Sequence, residues 1–203
     1  MIVKDAFIFL LPLIAAALMS FGLGWTAAGI LLLLLGAFVA FFFRNPKREI
    51  PADPGVIVSP ADGRVVKIER AGGVTRLSIF LSIFDVHVNR SPMHGRIEAI
   101  DYKRGKFKLA FSHAASVENE RNIIMIADGG LRLVFTQIAG LIARRIVCWK
   151  KAGDKVEKGE LVGLIRFGSR VDVLFPPGTE VTVETGARVR GGSSPIGVIR
   201  HHP

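Results

Sequence analysis

Cysteine is nearly absent. A single Cys148 in 203 residues excludes an intrachain disulfide and any multi-cysteine metal site. Set in "RRIVCWKK", it is expected as a small buried hydrophobe rather than a reactive thiol. There is no Walker loop, no dinucleotide fingerprint and no zinc-protease helix, so the common nucleotide and metallohydrolase chemistries lack their motifs. Aromatic residues thin out after the N-terminus, and no lysine–arginine block alternates with them, which argues against a nucleic-acid partner. Charge is missing from one long stretch: Ala6–Phe43, "AFIFLLPLIAAALMSFGLGWTAAGILLLLLGAFVAFFF", carries no charged side chain. Beyond that stretch, helical periodicity is missing.

What is present is apolar and basic. Half the residues are hydrophobic and the formal net charge is +10, which suggests a polyanionic partner. An anionic membrane surface suits the uncharged stretch best. Ala6–Phe43 is too long for one span and breaks at "FGLGW", so residues 1–43 are expected to form a hydrophobic helical hairpin. Its arms, Ala6–Phe21 and Thr26–Phe43, would reach roughly 24 and 27 Å. Each falls slightly short of a hydrocarbon core of about 30 Å, so the hairpin either spans a thin bilayer or dips into one leaflet. Lys4 before it and "RNPKR" (Arg44–Arg48) after it place both ends, and the body that follows, on the cytoplasmic side of the cell membrane. A secretory signal with Ala6–Leu18 as its apolar core is the competing reading.

Residues 44–203 read as a second domain of short strands punctuated by glycine. "VIVSPADGRVVKIER" is strand, turn at Asp62-Gly63, strand; "NIIMIADGGLRLVFTQIAG" is a hairpin around Asp128-Gly129-Gly130. The fold class expected is mainly β, a compact sandwich or barrel. "AGDKVEKGELVG" and "TGARVRGGSSPIG" are alike, and such half-repeats resemble the hammerhead elements of lipoyl and biotinyl carrier domains.

Five histidines are candidates for chemistry: His87, His94, His113, His201 and His202. His87, in "LSIFDVHVNRSP", sits at the end of an apolar strand and would pass for a core histidine. Asp62, in "SPADGRV", would pass for a turn residue. Two Gly-Ser pairs, Gly168-Ser169 in "LIRFGSRVDVLFPPG" and Gly192-Ser193 in "RVRGGSSPIG", change that reading. A serine preceded by glycine can attack the glycine carbonyl, because glycine leaves that carbon open and tolerates strained backbone. The ester formed can eliminate, and the dehydroalanine left behind becomes a pyruvoyl group. An aspartate–histidine couple would supply the base.

"SPADGRV", "FDVHVNRSP", "ENER" (Glu118–Arg121), "IAGLIARRI" and "FGSRVDVLFPPG", in this order, resemble the short form of the phosphatidylserine decarboxylase family. The resemblance implies a proenzyme that cuts itself before the strand "RVDVLF", into a beta chain (1–168) and an alpha chain (169–203). It selects Gly168-Ser169 and leaves "GGSSPIG" as a turn. Ser169 would become the covalent pyruvoyl group that forms a Schiff base with the substrate amine, His87 the base, and Asp62 the residue that orients His87. No metal or diffusible cofactor is then needed. Arg144 and Arg145 are candidates to neutralise the phospholipid substrate or its carboxylate. Larger family members carry a second histidine where this chain has Phe84, so its role would fall to His113 or water. The implied reaction turns phosphatidylserine into phosphatidylethanolamine and CO2. Archaetidylserine as substrate, a soluble amino-acid substrate, and a membrane-tethered non-enzymatic lipoyl-like adaptor are the alternatives.

Overall fold

The computed structural model describes residues 1–105, 119–140, 145–166 and 169–199. Two compact units divide the chain, Met1–Lys47 and the part from Arg48 onward. In the first, a 3-10 turn (Lys4–Ala6) leads into α1 (Phe7–Gly22), and α2 (Thr26–Phe42) follows a short turn. Gly24, at φ +77°, and the Trp25 N–H donated to the Ser20 carbonyl (2.8 Å) reverse the chain. Small residues let the helices approach: Ala6, Ala17, Ser20, Gly29 and Gly36 are buried while Leu11, Leu18, Leu31 and Leu34 face outward. The two ends of the hairpin meet, Val3 N–H donating to the Phe43 carbonyl (3.1 Å) and Asn45 N–H to that of Met1 (2.6 Å). Lys4–Gly22, 19 residues, is long and apolar enough to cross a membrane; Thr26–Phe42 is shorter.

The second unit is mainly β, as expected. Its strands are β1 (Val56–Val58), β2 (Gly63–Ala71), β3 (Val74–Leu81), β4 (Val88–Arg90), β5 (Gly95–Lys103), β6 (Arg121–Asp128) and β7 (Leu131–Ala139). They continue with β8 (Ile146–Cys148), β9 (Lys155–Val156), β10 (Leu161–Ile165), β11 (Ser169–Leu174), β12 (Thr179–Val181), β13 (Arg188–Val189) and β14 (Pro195–Ile199). A curled antiparallel sheet runs β13-β2-β3-β11-β7-β6-β5-β9, and two three-stranded sheets, β1-β14-β12 and β4-β10-β8, accompany it. Alternating inward side chains such as Leu77, Ile79, Leu81 and Leu133, Phe135 make one apolar core. Cys148 is half-buried and packs on its margin.

This sheet order hides an internal pseudo-repeat. β4 to β10 form one continuous copy; β1–β3 and β11–β14 form the other, with the first copy inserted between them. Equivalent contacts coincide. Ser59 Oγ donates to the Ala61 carbonyl and Ser91 Oγ to that of Met93, both at 2.6 Å. Gly192 N–H donates to the Ser59 carbonyl and Gly159 N–H to that of Ser91, both at 2.8 Å. Gly63 (φ +151°) and Gly95 (φ +148°) open β2 and β5, and a Cβ on either would lie 2.2 Å from the Phe80 carbonyl O or 2.5 Å from that of Ala127. "SPADGRV" and "SPMHGRI" are thus one element written twice. The two alike segments noted in the sequence are its other half: β9 with β10, and β13 with β14.

Candidate active site

Ser169 opens β11, the strand at the middle of the large sheet, where it pairs with Leu81 of β3 and Ala139 of β7. Alternation puts Ser169, Val171 and Val173 on the core face. Arg170 and Asp172 take the other face and form an ion pair at 2.9 Å. Ser169 is fully buried, and its Oγ has no hydrogen-bond partner among the described residues. A buried hydroxyl without a partner costs on the order of 1–3 kcal/mol, so folding alone gives no reason for it.

His87 is 1% exposed. Its Nδ1 lies 2.9 Å from the Asp85 carbonyl O. A carbonyl only accepts, so Nδ1 carries the proton and the neutral ring keeps its lone pair on Nε2, the form a general base requires. Asp85 is itself tied down, its carboxylate accepting from Ser82 N–H (2.8 Å) and Ser82 Oγ–H (2.7 Å). Ser82 directly follows Leu81, the partner of Ser169. From the other side, the His87 carbonyl accepts the N–H of Ile165 (3.3 Å), four residues before Ser169. The His87 ring and the Ser169 hydroxyl are therefore anchored to the same sheet end by two independent routes.

Asp62 lies at that end as well. Its neighbour Gly63 opens β2 beside the strand carrying Leu81, in the sheet row that continues to Ser169. Its carboxylate, 15% exposed, accepts two hydrogen bonds from Arg48 Nη2 and one from Gly191 N–H, all at 2.8 Å. The proton on His87 Nδ1 goes to the Asp85 carbonyl, not to Asp62, so the expected aspartate–histidine couple is not joined by a direct hydrogen bond. Burial and the Arg48 charge lower the pKa of the Arg90 guanidinium, against the pull of Asp62. Asp62 and Asp85 share a cavity of about 520 Å³ with Arg188, Arg190, Ser193 and Ser194. Ser193 sits in the β13–β14 turn, its N–H bonded to the Arg190 carbonyl (3.1 Å).

Gly168, Arg144 and His113 lie outside the described residues. Arg145 is exposed and close enough to Tyr102 to oppose the rise of its hydroxyl pKa to about 12, which burial and then Glu120 cause. Phe84 is exposed. Sequence reasoning missed Ser82 and Asp85, whose importance lies in main-chain anchoring. It also missed three buried amides, Asn89, Asn122 and Gln137. Their signal was legible, since Asn122 and Gln137 stand at inward positions of strands otherwise filled by isoleucine, leucine and phenylalanine.

A family model described as phosphatidylserine decarboxylase matches residues 35–197. A protein of Solibacter usitatus named phosphatidylserine decarboxylase proenzyme is 52% identical, over 96% of this chain and 95% of its own. Proteins of the same name from Carboxydothermus hydrogenoformans and Symbiobacterium thermophilum are 47% and 42% identical, over 92% and 97% of this chain and 89% and 94% of theirs. A match of this length, on a mainly β unit that carries a buried serine and histidine at one sheet end, places the chain in the phosphatidylserine decarboxylase family.

Proposed function

We propose that this chain is a self-processing decarboxylase that converts phosphatidylserine to phosphatidylethanolamine and CO2, with Ser169 as the residue that is chemically transformed. The names of its relatives supply the reaction and the proenzyme state. The observation that carries the assignment of Ser169 is its buried, unpartnered Oγ at the start of β11, with His87 tethered to the same end in the tautomer of a base.

Processing follows from these groups. The Ser169 Oγ–H proton passes to His87 Nε2 as Oγ bonds to the Gly168 carbonyl carbon. The C–N bond then breaks, the proton goes to the leaving nitrogen, and an ester remains. Removal of the Ser169 Cα proton expels the Gly168 carboxylate from Cβ. Dehydroalanine tautomerises to the imine, and water releases ammonia and leaves the keto group. Asp62 is assigned to stabilise the positive charge that forms on His87. Since Arg48 and Gly191 N–H hold its carboxylate, it acts on His87 through its charge rather than by a direct hydrogen bond.

The apolar enclosure of Ser169 suits a covalent pyruvoyl group, small and uncharged, at this position. Its carbonyl would supply the electron sink for loss of CO2. The chain's own part in that step is to exclude water around position 169 and to present Arg144 or Arg145 to the lipid's anionic groups. The hairpin anchors the enzyme in the membrane with the catalytic unit on the cytoplasmic side. Intact mass under denaturing conditions tests this reading. The wild type should give chains 1–168 and 169–203, Ser169→Ala one full-length chain, and Ser193→Ala normal processing. A cut at Gly192 would refute it.

A further inference from the structure

Three side-chain amides lie fully inside the core. Asn122 Nδ2 donates to Gln137 Oε1 (2.9 Å), and Gln137 Nε2 donates to Asn89 Oδ1 (2.9 Å). The three residues are at most 1% exposed. The two ends of this chain of bonds, the Asn89 amide nitrogen and the Asn122 amide oxygen, have no hydrogen-bond partner among the described residues. Nothing in the packing needs these groups, and the pseudo-repeat supplies the control. In the other copy the positions of Asn89, Gln137 and Asn122 are held by Ile57, Phe175 and Thr75. Ile57 pairs with Gly197 as Asn89 pairs with Gly163, and Phe175 N–H bonds the Thr75 carbonyl (3.0 Å) where Gln137 pairs with Asn122. The same fold position is therefore filled well by Ile57 and Phe175, which belong to the apolar core.

The two copies differ in what lies beside them. Gln137 pairs with Val171, and two residues along the same faces Ala139 pairs with Ser169. On β4, Val88 faces Leu164, so His87 and Asn89 share the opposite face, the face of the core residue Ile165. Asn89 meets the Gln137 row, and His87, two residues earlier, is tethered to the Ser169 end. The copy that carries the amides thus brings a donor and a base to one corner of the core, and β11 of the other copy brings the nucleophile there.

We propose that the Asn89 side-chain amide donates a hydrogen bond to the oxyanion formed when Ser169 attacks the preceding carbonyl, with Gln137 and Asn122 as positioning residues that hold it in the donor orientation. This rests on the self-processing reading. As Oγ bonds to the carbonyl carbon and its proton moves to His87, the carbonyl oxygen takes up negative charge. A preorganised donor in a dry site stabilises that charge more than the neutral ground state. In the orientation observed, Gln137 accepts from Asn122 and donates to Asn89, which turns the Asn89 oxygen toward Gln137 and leaves its nitrogen as the donor the proposal uses.

The experiment follows cleavage of freshly synthesised full-length chain by intact mass, with unfolding temperature measured on each variant. Asn89→Asp, which keeps the shape and loses the donor, should slow cleavage by about 10²–10³-fold. Hydroxylamine, which cleaves accumulated ester, should not restore it, because the defect precedes the ester. Gln137→Glu should slow cleavage by about tenfold, since it leaves Asn89 in place and removes the bond that orients it. The triple variant Asn89→Ile, Gln137→Phe, Asn122→Thr installs the other copy's filling and should fold as a single uncut chain. Cleavage of Asn89→Asp or of the triple variant at the wild-type rate, or rescue by hydroxylamine, overturns the proposal. Should the wild type itself remain uncut, the self-processing reading fails instead.

Discussion

Asp85 is the residue on which the placement of His87 depends, and the structure sets the scale of its loss. Its carboxylate accepts two hydrogen bonds from Ser82, at 2.8 and 2.7 Å, and its side chain is only 17% exposed. The ion pair to Arg188, at 3.8 Å with the arginine 75% exposed, adds little. Hydrogen bonds to a charged group contribute about 1.5–3 kcal/mol each, and the freed Ser82 groups recover part of that by hydration when the loop opens. A net loss of about 2–3 kcal/mol is the reasonable figure for Asp85→Ala. If it is felt as a smaller population of loops holding His87 toward Ser169, self-cleavage slows by about 30–100-fold, at 1.4 kcal/mol per factor of ten. Ser82→Ala removes one of the two bonds and should cost about 1 kcal/mol, or about fivefold. Asp85→Asn keeps one acceptor and should fall between. The assay is the rate at which chain 1–168 appears from full-length protein, with the unfolding temperature recorded alongside. An Asp85→Ala rate within twofold of wild type, or equal effects of Asp85→Ala and Ser82→Ala, would refute the reasoning.

Gly163→Ala should destabilise the second unit by about 1–3 kcal/mol in calorimetry, because the new Cβ would sit 2.1 Å from the Val147 carbonyl O and force β8 from β10. Gly197→Ala, its counterpart in the other copy, should cost less, since its nearest neighbour is the Thr179 methyl at 2.9 Å rather than backbone. Burial alone would raise the Glu160 pKa, but hydrogen bonds from Lys150 and Glu157 N–H lower it below the ordinary carboxylate value. That stabilisation is full above the ordinary pKa and is lost as pH falls through the depressed one. Lys150→Met should therefore raise the Glu160 pKa, followed by its side-chain carboxyl resonance, and acid unfolding should begin at higher pH. An unmoved resonance would count against the pairing. A chain starting at Arg48 should fold and lose stable membrane association, leaving weak, salt-sensitive binding to anionic vesicles in flotation assays. Retention at high salt would reveal a second apolar surface on the catalytic unit.

Much of this was legible in the linear chain, for physical reasons. An uncharged run of this length has few soluble fates, and a break at "FGLGW" leaves it little choice but a hairpin; the helices end within a residue or so of the expected points. Short strands set off by glycine announce a β unit. The Gly-Ser chemistry is local, because nucleophile and scissile carbonyl are covalent neighbours, so Ser169 needed no fold to be suspected.

Long-range partners were another matter. Whether Asp62 reaches His87 depends on how a turn near β2 meets a loop before β4, and the structure gives the Asp62 carboxylate to Arg48 and Gly191 and the His87 ring to a main-chain carbonyl. A backbone acceptor has no side-chain signature, so no reading of residue types finds it. The pseudo-repeat stayed half-seen for a related reason: one copy is split around the other, and only strand pairing reunites β1–β3 with β11–β14. The sequence by itself determined the apolar hairpin and the class of fold and singled out Ser169 as the candidate, since each rests on composition or adjacent residues. Only the tertiary structure decided what lies near that serine, because strand pairing sets β11 between β3, which leads into the segment holding Asp85 and His87, and β7, whose Gln137 bonds Asn89.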